Sequence, residues 1–234
     1  MTEQTNDRAR RPRLAEVYEP GRPGLPRGRS SLPRTAVRDA QRARLMRAAI
    51  AAVAEKGYAS TTVADVVGRA RVSRKAFYEH FPDLERCFLA SLAGAQRTIL
   101  RRLASVPPDR GRDEPGPRGT LRSGARAYLE LCAQEPEFAR CILVELPAVG
   151  PRALKGRNKG YRQVAALLRT WRERAGEGWP PVPEEMYLAA VGAISELIQV
   201  RLADGDPGGL PGLEDAVTEI LVRLLAVPAP PDAP

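Results

Sequence analysis

The sequence predicts an all-α protein: a small three-helix unit near the amino terminus, joined by a long helix to a second, larger helical domain. Three observations predict it. Apolar residues recur at helical spacing from about residue 45 to residue 226, and no convincing period-two strand pattern interrupts them. Caps, Gly and Pro divide residues 57–83 into short helices. Positive charge is concentrated at the front, with 21 Lys and Arg against 10 Asp and Glu in residues 1–102 and 16 against 18 beyond them.

A chain of 234 residues can bury a real core. A pI near 10.0 with that asymmetry points to a polyanionic partner, either nucleic acid or an anionic membrane surface. A membrane span is not expected, for want of an apolar run of about 18 residues, nor a signal peptide, for want of an apolar core near the N-terminus. A soluble cytoplasmic protein with no membrane partner is therefore expected. Cys87, Cys132 and Cys141 are odd in number and far apart, with no C-x-x-C pair and one histidine elsewhere. They make neither a disulfide framework nor a zinc site.

Residues 1–34 are rich in Arg, Pro and Gly, lack hydrophobic periodicity and read as a basic disordered arm. Order is expected from about Thr35, a potential N-cap. Leu45, Ala48, Ala49, Ala52 and Val53 then repeat at helical spacing up to Gly57, a C-terminal stop signal. Two short helices follow within Thr62 to Phe81, and Pro82 forbids simple continuation of the second. Asp83 can cap the next helix, which carries Cys87, Phe88, Leu92, Ala95, Ile99 and Leu103 on one side.

A Pro/Gly-rich loop is expected at 107–119. Helical patterns then run near Leu121 to Gln134, Pro136 to Leu146, Arg152 to Ala175, Glu184 to Ala203 and Leu213 to Ala226, within a domain spanning 120–227. Residues 228–234 form a Pro/Ala-rich tail. No internal repeat is present.

The most informative stretch is Thr62 to Phe81. Thr62 can accept from early backbone N–H groups while Asp65, three residues on, returns a bond in the manner of a capping box. Val63, Val66, Val67 and Ala70 form the buried side of the helix so started. Ser73 caps a second helix only three residues later, and two helices joined by so short a turn cross steeply, the shape that pushes the second into a major groove. Phe77 and Phe81 face inward, which leaves Arg74, Lys75, Tyr78 and His80 outward.

The run Thr-Thr-Val-x-x-Val, followed by Ala-x-Val-Ser-Arg-Lys-Ala-Phe-Tyr-x-His-Phe-Pro-Asp, resembles the DNA-binding domain of the TetR family of transcriptional regulators. The resemblance extends over residues 39–99. It implies a homodimer whose C-terminal domain binds a small-molecule effector and controls release of double-stranded operator DNA. It also implies phosphate contacts from Thr61, Thr62 and Tyr78, with base-edge or phosphate contacts from Arg74, Lys75, Ala76 and His80 beside the cap Ser73. Arg74 or Lys75 could reach guanine O6/N7, and Ala76 a thymine methyl. Three positions depart from the family pattern. Arg71 stands where the turn usually has glycine, so a non-glycine residue must hold a left-handed conformation. Val67 replaces a small residue, and Leu84 replaces a common lysine.

Ahead of this unit, Pro26-Arg27-Gly28-Arg29 resembles the Arg-Gly-Arg core of AT-hook peptides, in which two arginines lie in a narrow minor groove. Arg27 and Arg29 either read that groove or belong to a basic tail that adds only salt-dependent affinity.

In the C-terminal half, Leu188, Val191, Ile194, Leu197 and Ile198 form one stripe, and Leu213, Val217, Ile220, Leu221, Leu224 and Leu225 another. Such a pair closes a four-helix interface with a two-fold mate or packs within the subunit. Tyr128, Phe138, Leu143, Trp171 and Tyr187 are pocket candidates, chosen as large side chains on the middle helices; ordinary core is their other reading. Cys132 and Cys141 are expected to be buried and inert rather than a redox pair.

Enzymatic function is not expected. With His80 on the outward face, no Ser-His or Cys-His arrangement is available, and the Gly-rich stretches at 111–119 and 205–212 lack the strand-loop-helix context and the Lys of a phosphate loop. No cofactor or metal is expected. Two functions remain: a ligand-responsive regulator, in the resemblance a repressor although the sequence leaves activation open, or an architectural DNA-binding protein with little sequence preference.

Overall fold

The computed structural model describes residues 33–105, 116–175 and 180–225, which form nine α-helices and no strand. The expected arm with Arg27 and Arg29, most of the 107–119 loop, and the tail lie outside the described residues.

Helix α1 (Arg34–Lys56) starts one residue before Thr35, directly after Pro33. Proline's fixed φ, here −53°, presents its carbonyl to Val37 N–H at 3.2 Å, so no hydroxyl cap is used. The helix stops at Gly57, whose φ of 79° turns the chain while its N–H still reaches Val53 O. Helices α2 (Val63–Ala70), α3 (Arg74–His80) and α4 (Leu84–Ala104) follow, each with the cap that the sequence predicts. Thr62 and Asp65 form the reciprocal box, Ser73 Oγ accepts from Ala76 N–H at 3.1 Å, and Asp83 accepts from Arg86 N–H at 2.6 Å.

Two cores meet along α1. Its Leu45, Ala48, Ala49 and Ala52 pack with Val66, Ala70, Phe77, Phe81 and Cys87 in the first. Ile50 and Val53 turn the other way, into a larger core that begins with Phe88 and Leu92 of α4 and runs through the rest of the chain. Helices α1 and α4 therefore belong to both units, which fixes the small one on the large one.

Helix α5 (Pro117–Gln134) begins inside the expected loop, because Pro117 fits a first helical turn that lacks an intrahelical donor anyway. The segment predicted as one helix from Pro136 to Leu146 is in fact three pieces. Helix α6 (Pro136–Arg140) passes into a π-turn (Cys141–Glu145), where Leu146 N–H reaches back to Cys141 O, and then into a 3₁₀ turn (Leu146–Val149). Pro147 has no N–H to return to Leu143 O, so a regular α ladder cannot pass this point.

Helices α7 (Pro151–Ala175), α8 (Glu184–Ala203) and α9 (Glu214–Leu224) complete the bundle, with an unpredicted 3₁₀ turn at Pro207–Leu213. Contrary to the sequence reading, one segment, α8, is long and apolar enough to cross a membrane by length and composition. Its Tyr187, Val191, Ile194, Ile198 and Leu202 are buried against the other helices, as in a core helix, with Glu196 and Arg201 on its outer side. The stripe residues Val191, Ile194, Ile198, Val217, Leu221 and Leu225 thus pack within the chain. Leu188 of the same stripe is exposed instead, as are Ala189 and Val200 of α8.

Candidate nucleic-acid interface

The steep crossing of α2 and α3 is held by Arg71, at φ 50° and ψ 46°, the only non-glycine with positive φ among the described residues. Its N–H reaches Gly68 O at 3.3 Å and Val72 N–H reaches Val67 O at 3.2 Å, closing α2 as glycine would. The α2–α3 unit is braced on α1 by two ion pairs, Lys56 with Asp65 and Glu55 with Arg69. The Lys56 bond, followed by those from Thr62, holds the Asp65 carboxyl well below the usual carboxylate range.

On this scaffold Phe77 and Phe81 are buried, their ring centroids 6.0 Å apart, and the outer face of α3 is left to solvent. Arg74 and Lys75 are exposed, Ala76 is half-buried, and Tyr78 is 49% exposed with the Arg74 guanidinium 6.0 Å from its ring. A cation beside a phenol at the outer face is a pair suited to phosphates and base edges. Ser73 and Thr62 are exposed at the two helix starts with their hydroxyls engaged as caps. Thr61 differs: it is buried, and its hydroxyl donates to Gly57 O at 2.7 Å.

His80 is only half outward. Its ring lies beside Phe81, with Nε2 buried and unbonded, and burial followed by the nearby Arg38 and Arg42 charges pulls its pKa below the ordinary value. The imidazole is therefore more readily neutral than an exposed one. Arg42 itself stacks on the Phe81 ring at 4.9 Å.

The larger unit touches this one at a place the sequence did not indicate. The Glu145 carboxylate, at the end of the π-turn, accepts from Tyr58 N–H at 3.0 Å, and the Cys141 thiol, at its start, lies 3.4 Å from Ile50 O. Neither of two cavities among the described residues is lined by all five pocket candidates. Tyr128 and Trp171 line an apolar cavity of only about 20 Å³, room for little more than one water, while Phe138, Leu143 and Tyr187 are buried in the surrounding core. Burial raises Cys132 to about 12, and pushes Cys141 higher still.

Residues 45–90 match the family model described as bacterial regulatory proteins, tetR family. Among solved structures, the fatty acid degradation regulator FadR from Bacillus halodurans has a TM-score of 0.65 at 16% identity, covering 78% of this chain and 94% of its own. The transcriptional regulator FadR from Bacillus subtilis, in complex with stearoyl-CoA, has a TM-score of 0.63 at 18% identity, covering 76% and 96%. At these identities the likeness is one of fold. A TetR-family transcriptional regulator from Pectobacterium atrosepticum reaches 26% identity and a TM-score of 0.61, covering 85% of this chain and all of its own, at 100%. No curated relative matches by sequence.

Proposed function

With a TetR-family DNA-binding domain at residues 45–90 and the fold of TetR-family regulators as premise, we propose that this protein is a dimeric, sequence-specific transcriptional repressor that releases its operator on binding a small molecule. The observation that carries the DNA-reading role is α3 itself. A capped helix is held across α2 by a left-handed Arg71, with Arg74, Lys75 and Tyr78 on its open face. In this reading Arg74, Lys75 and Ala76 meet base edges, and Tyr78, His80, Ser73 and Thr62 meet the phosphates that set register. Thr61 is buried with its hydroxyl bonded to Gly57 O, and in this reading it anchors the approach to α2 instead of meeting a phosphate.

Dimerisation is supported by the exposed Ala189 and Val200 on α8, about three turns apart on one side, with Leu188 exposed beside Ala189, on a helix whose other side is already buried. Two reading helices related by a two-fold axis require an operator with inverted half-sites. Ligand control is supported by the Bacillus subtilis neighbour, which holds stearoyl-CoA, and by the Glu145 and Cys141 contacts that connect the large domain to the small one.

Selection of bound fragments from random duplex DNA tests the reading. An enriched inverted repeat is the expected result. Tight binding with no enriched motif would instead favour an architectural protein that uses its charge without sequence choice.

A further inference from the structure

The roomiest recess described lies not at the Tyr128–Trp171 cavity but between α4, the π-turn and α7, where an open cavity of about 210 Å³ reaches the surface. Its floor is apolar, made by Leu89 and Leu92 of α4 and by Ile142 and Leu146 at the π-turn. Its walls carry four cations, Arg97, Arg152, Arg157 and Lys159, and no carboxylate lines it. Among the described residues, only Arg152 of the four has its charge met nearby, by Glu85 at 2.7 Å. Arg157 holds its guanidinium 5.5 Å from the Tyr161 ring, and its Nε is buried with no hydrogen-bond partner. A desolvated cationic donor left without an acceptor is rare in folded proteins and marks a place where an anion would be bound strongly. The charge is concentrated: residues 151–172 contain seven Lys and Arg and no Asp or Glu.

We propose that this cavity binds a small amphipathic anion, its carboxylate or phosphate held by Arg157, Arg97 and Lys159 and its short apolar chain laid on Leu89, Leu92, Ile142 and Leu146. A neutral apolar molecule would leave the cations unmet, and a purely polar anion would leave the floor uncovered. Ile142 and Leu146 flank the residues that hold the small domain, so an occupant bears directly on the Glu145–Tyr58 and Cys141–Ile50 contacts. That consequence rests on the ligand-controlled reading above; occupancy itself does not.

Binding is therefore measured on the full-length protein without DNA, by calorimetric titration with octyl phosphate, octanoate and octanol. Saturable binding of octyl phosphate or octanoate is expected, the tighter of the two identifying the headgroup, with octanol at least about tenfold weaker because one charge-assisted bond is worth about that factor. Arg157→Leu should weaken the anion about tenfold while leaving octanol unchanged. Gly156→Leu is the steric test: Gly156 lines the cavity, a Cβ there meets nothing within 4 Å, and the residue is an exposed helix position where leucine also favours the helix. This variant should fold and fail to bind. Equal binding of octanol and the anions, unchanged binding in Gly156→Leu, or no saturable binding of either anion would each overturn the site. Sequence-specific DNA binding would stand in all three cases.

Discussion

The Glu145 carboxylate and the Tyr58 backbone N–H, 87 residues apart in the chain, are joined by a 3.0 Å hydrogen bond that ties the π-turn to the turn between α1 and α2. The carboxylate is largely covered, its other oxygen facing Arg140 at 3.4 Å. Glu145→Ala leaves the Tyr58 donor without its acceptor and is expected to cost about 1–3 kcal/mol. Glu145→Gln keeps an acceptor and should cost less. Denaturant unfolding, with amide exchange at Tyr58 as the local probe, checks this; equal losses in the two variants would place the effect in the Arg140 pair instead.

Arg71→Gly should stabilise the protein by about 1 kcal/mol. A side chain in the left-handed region costs roughly 1–2 kcal/mol, and glycine returns part of that through its looser unfolded chain. A thermal midpoint that does not rise would mean that the Arg71 side-chain interactions outweigh the relief.

Two glycines on neighbouring helices should respond with opposite sign. A Cβ at Gly124 would enter the Trp171 ring, whereas one at Gly156 meets nothing within 4 Å. Gly156→Ala should therefore gain about 1 kcal/mol from helix propensity, and Gly124→Ala should lose about 1–3 kcal/mol to overpacking. Trp fluorescence would report the second displacement directly.

Of the α3 side chains, a base-reading residue and a phosphate-reading one separate by salt. If Arg74 meets a guanine, Arg74→Ala loses about 1–3 kcal/mol on the selected operator and relaxes preference at one position. If Lys75 meets only phosphate, Lys75→Ala weakens all sequences alike and lowers the salt slope by about one. Binding titrations at several salt concentrations decide both.

Acid should weaken the link between α5 and α9. The Arg126 hydrogen bond, followed by that of Arg122, holds Glu214 below the usual carboxylate range, with Arg126 Nε 2.8 Å from its Oε2. A depressed folded-state pKa means that the stabilisation is complete above the unfolded value and is lost as pH falls through the folded one. Stability should therefore decline below the ordinary carboxylate titration, and Glu214→Gln should make that decline shallower. The change is modest because the pair is partly solvated; a pH profile identical to that of the unmodified protein would remove Glu214 from the link.

Much of the first hundred residues was legible because the determinants there are local. Thr62, Asp65, Ser73 and Asp83 each lie within four residues of the backbone groups they cap, so spacing alone locates the helices. Even the left-handed Arg71 was expected, though from the resemblance, whose turn carries glycine at that position, rather than from spacing. The larger unit was less legible because its determinants are distant. Pro147 marks locally where the α ladder must end, but the contacts of the π-turn with α1 at Ile50 and with Tyr58 beyond it, and the cationic cavity where α4 crosses α7, are not encoded by a periodic pattern. The acid-free run at 151–172 was the one local sign of that cavity. The pocket candidates were chosen by size, and size also selects core residues, which Phe138, Leu143 and Tyr187 are.

Cys87, Cys132 and Cys141 are the chain's three cysteines; all are buried, and burial drives each thiol toward its unreactive protonated form. For a maleimide or a nitroxide reagent the native protein is effectively thiol-free. A single cysteine placed on an exposed residue of α3, such as Glu79, would thus be the only labelling handle on each protomer. In a dimer, two such labels form a ruler across the paired helices, and their separation could be read by dipolar spectroscopy with the native thiols left in place.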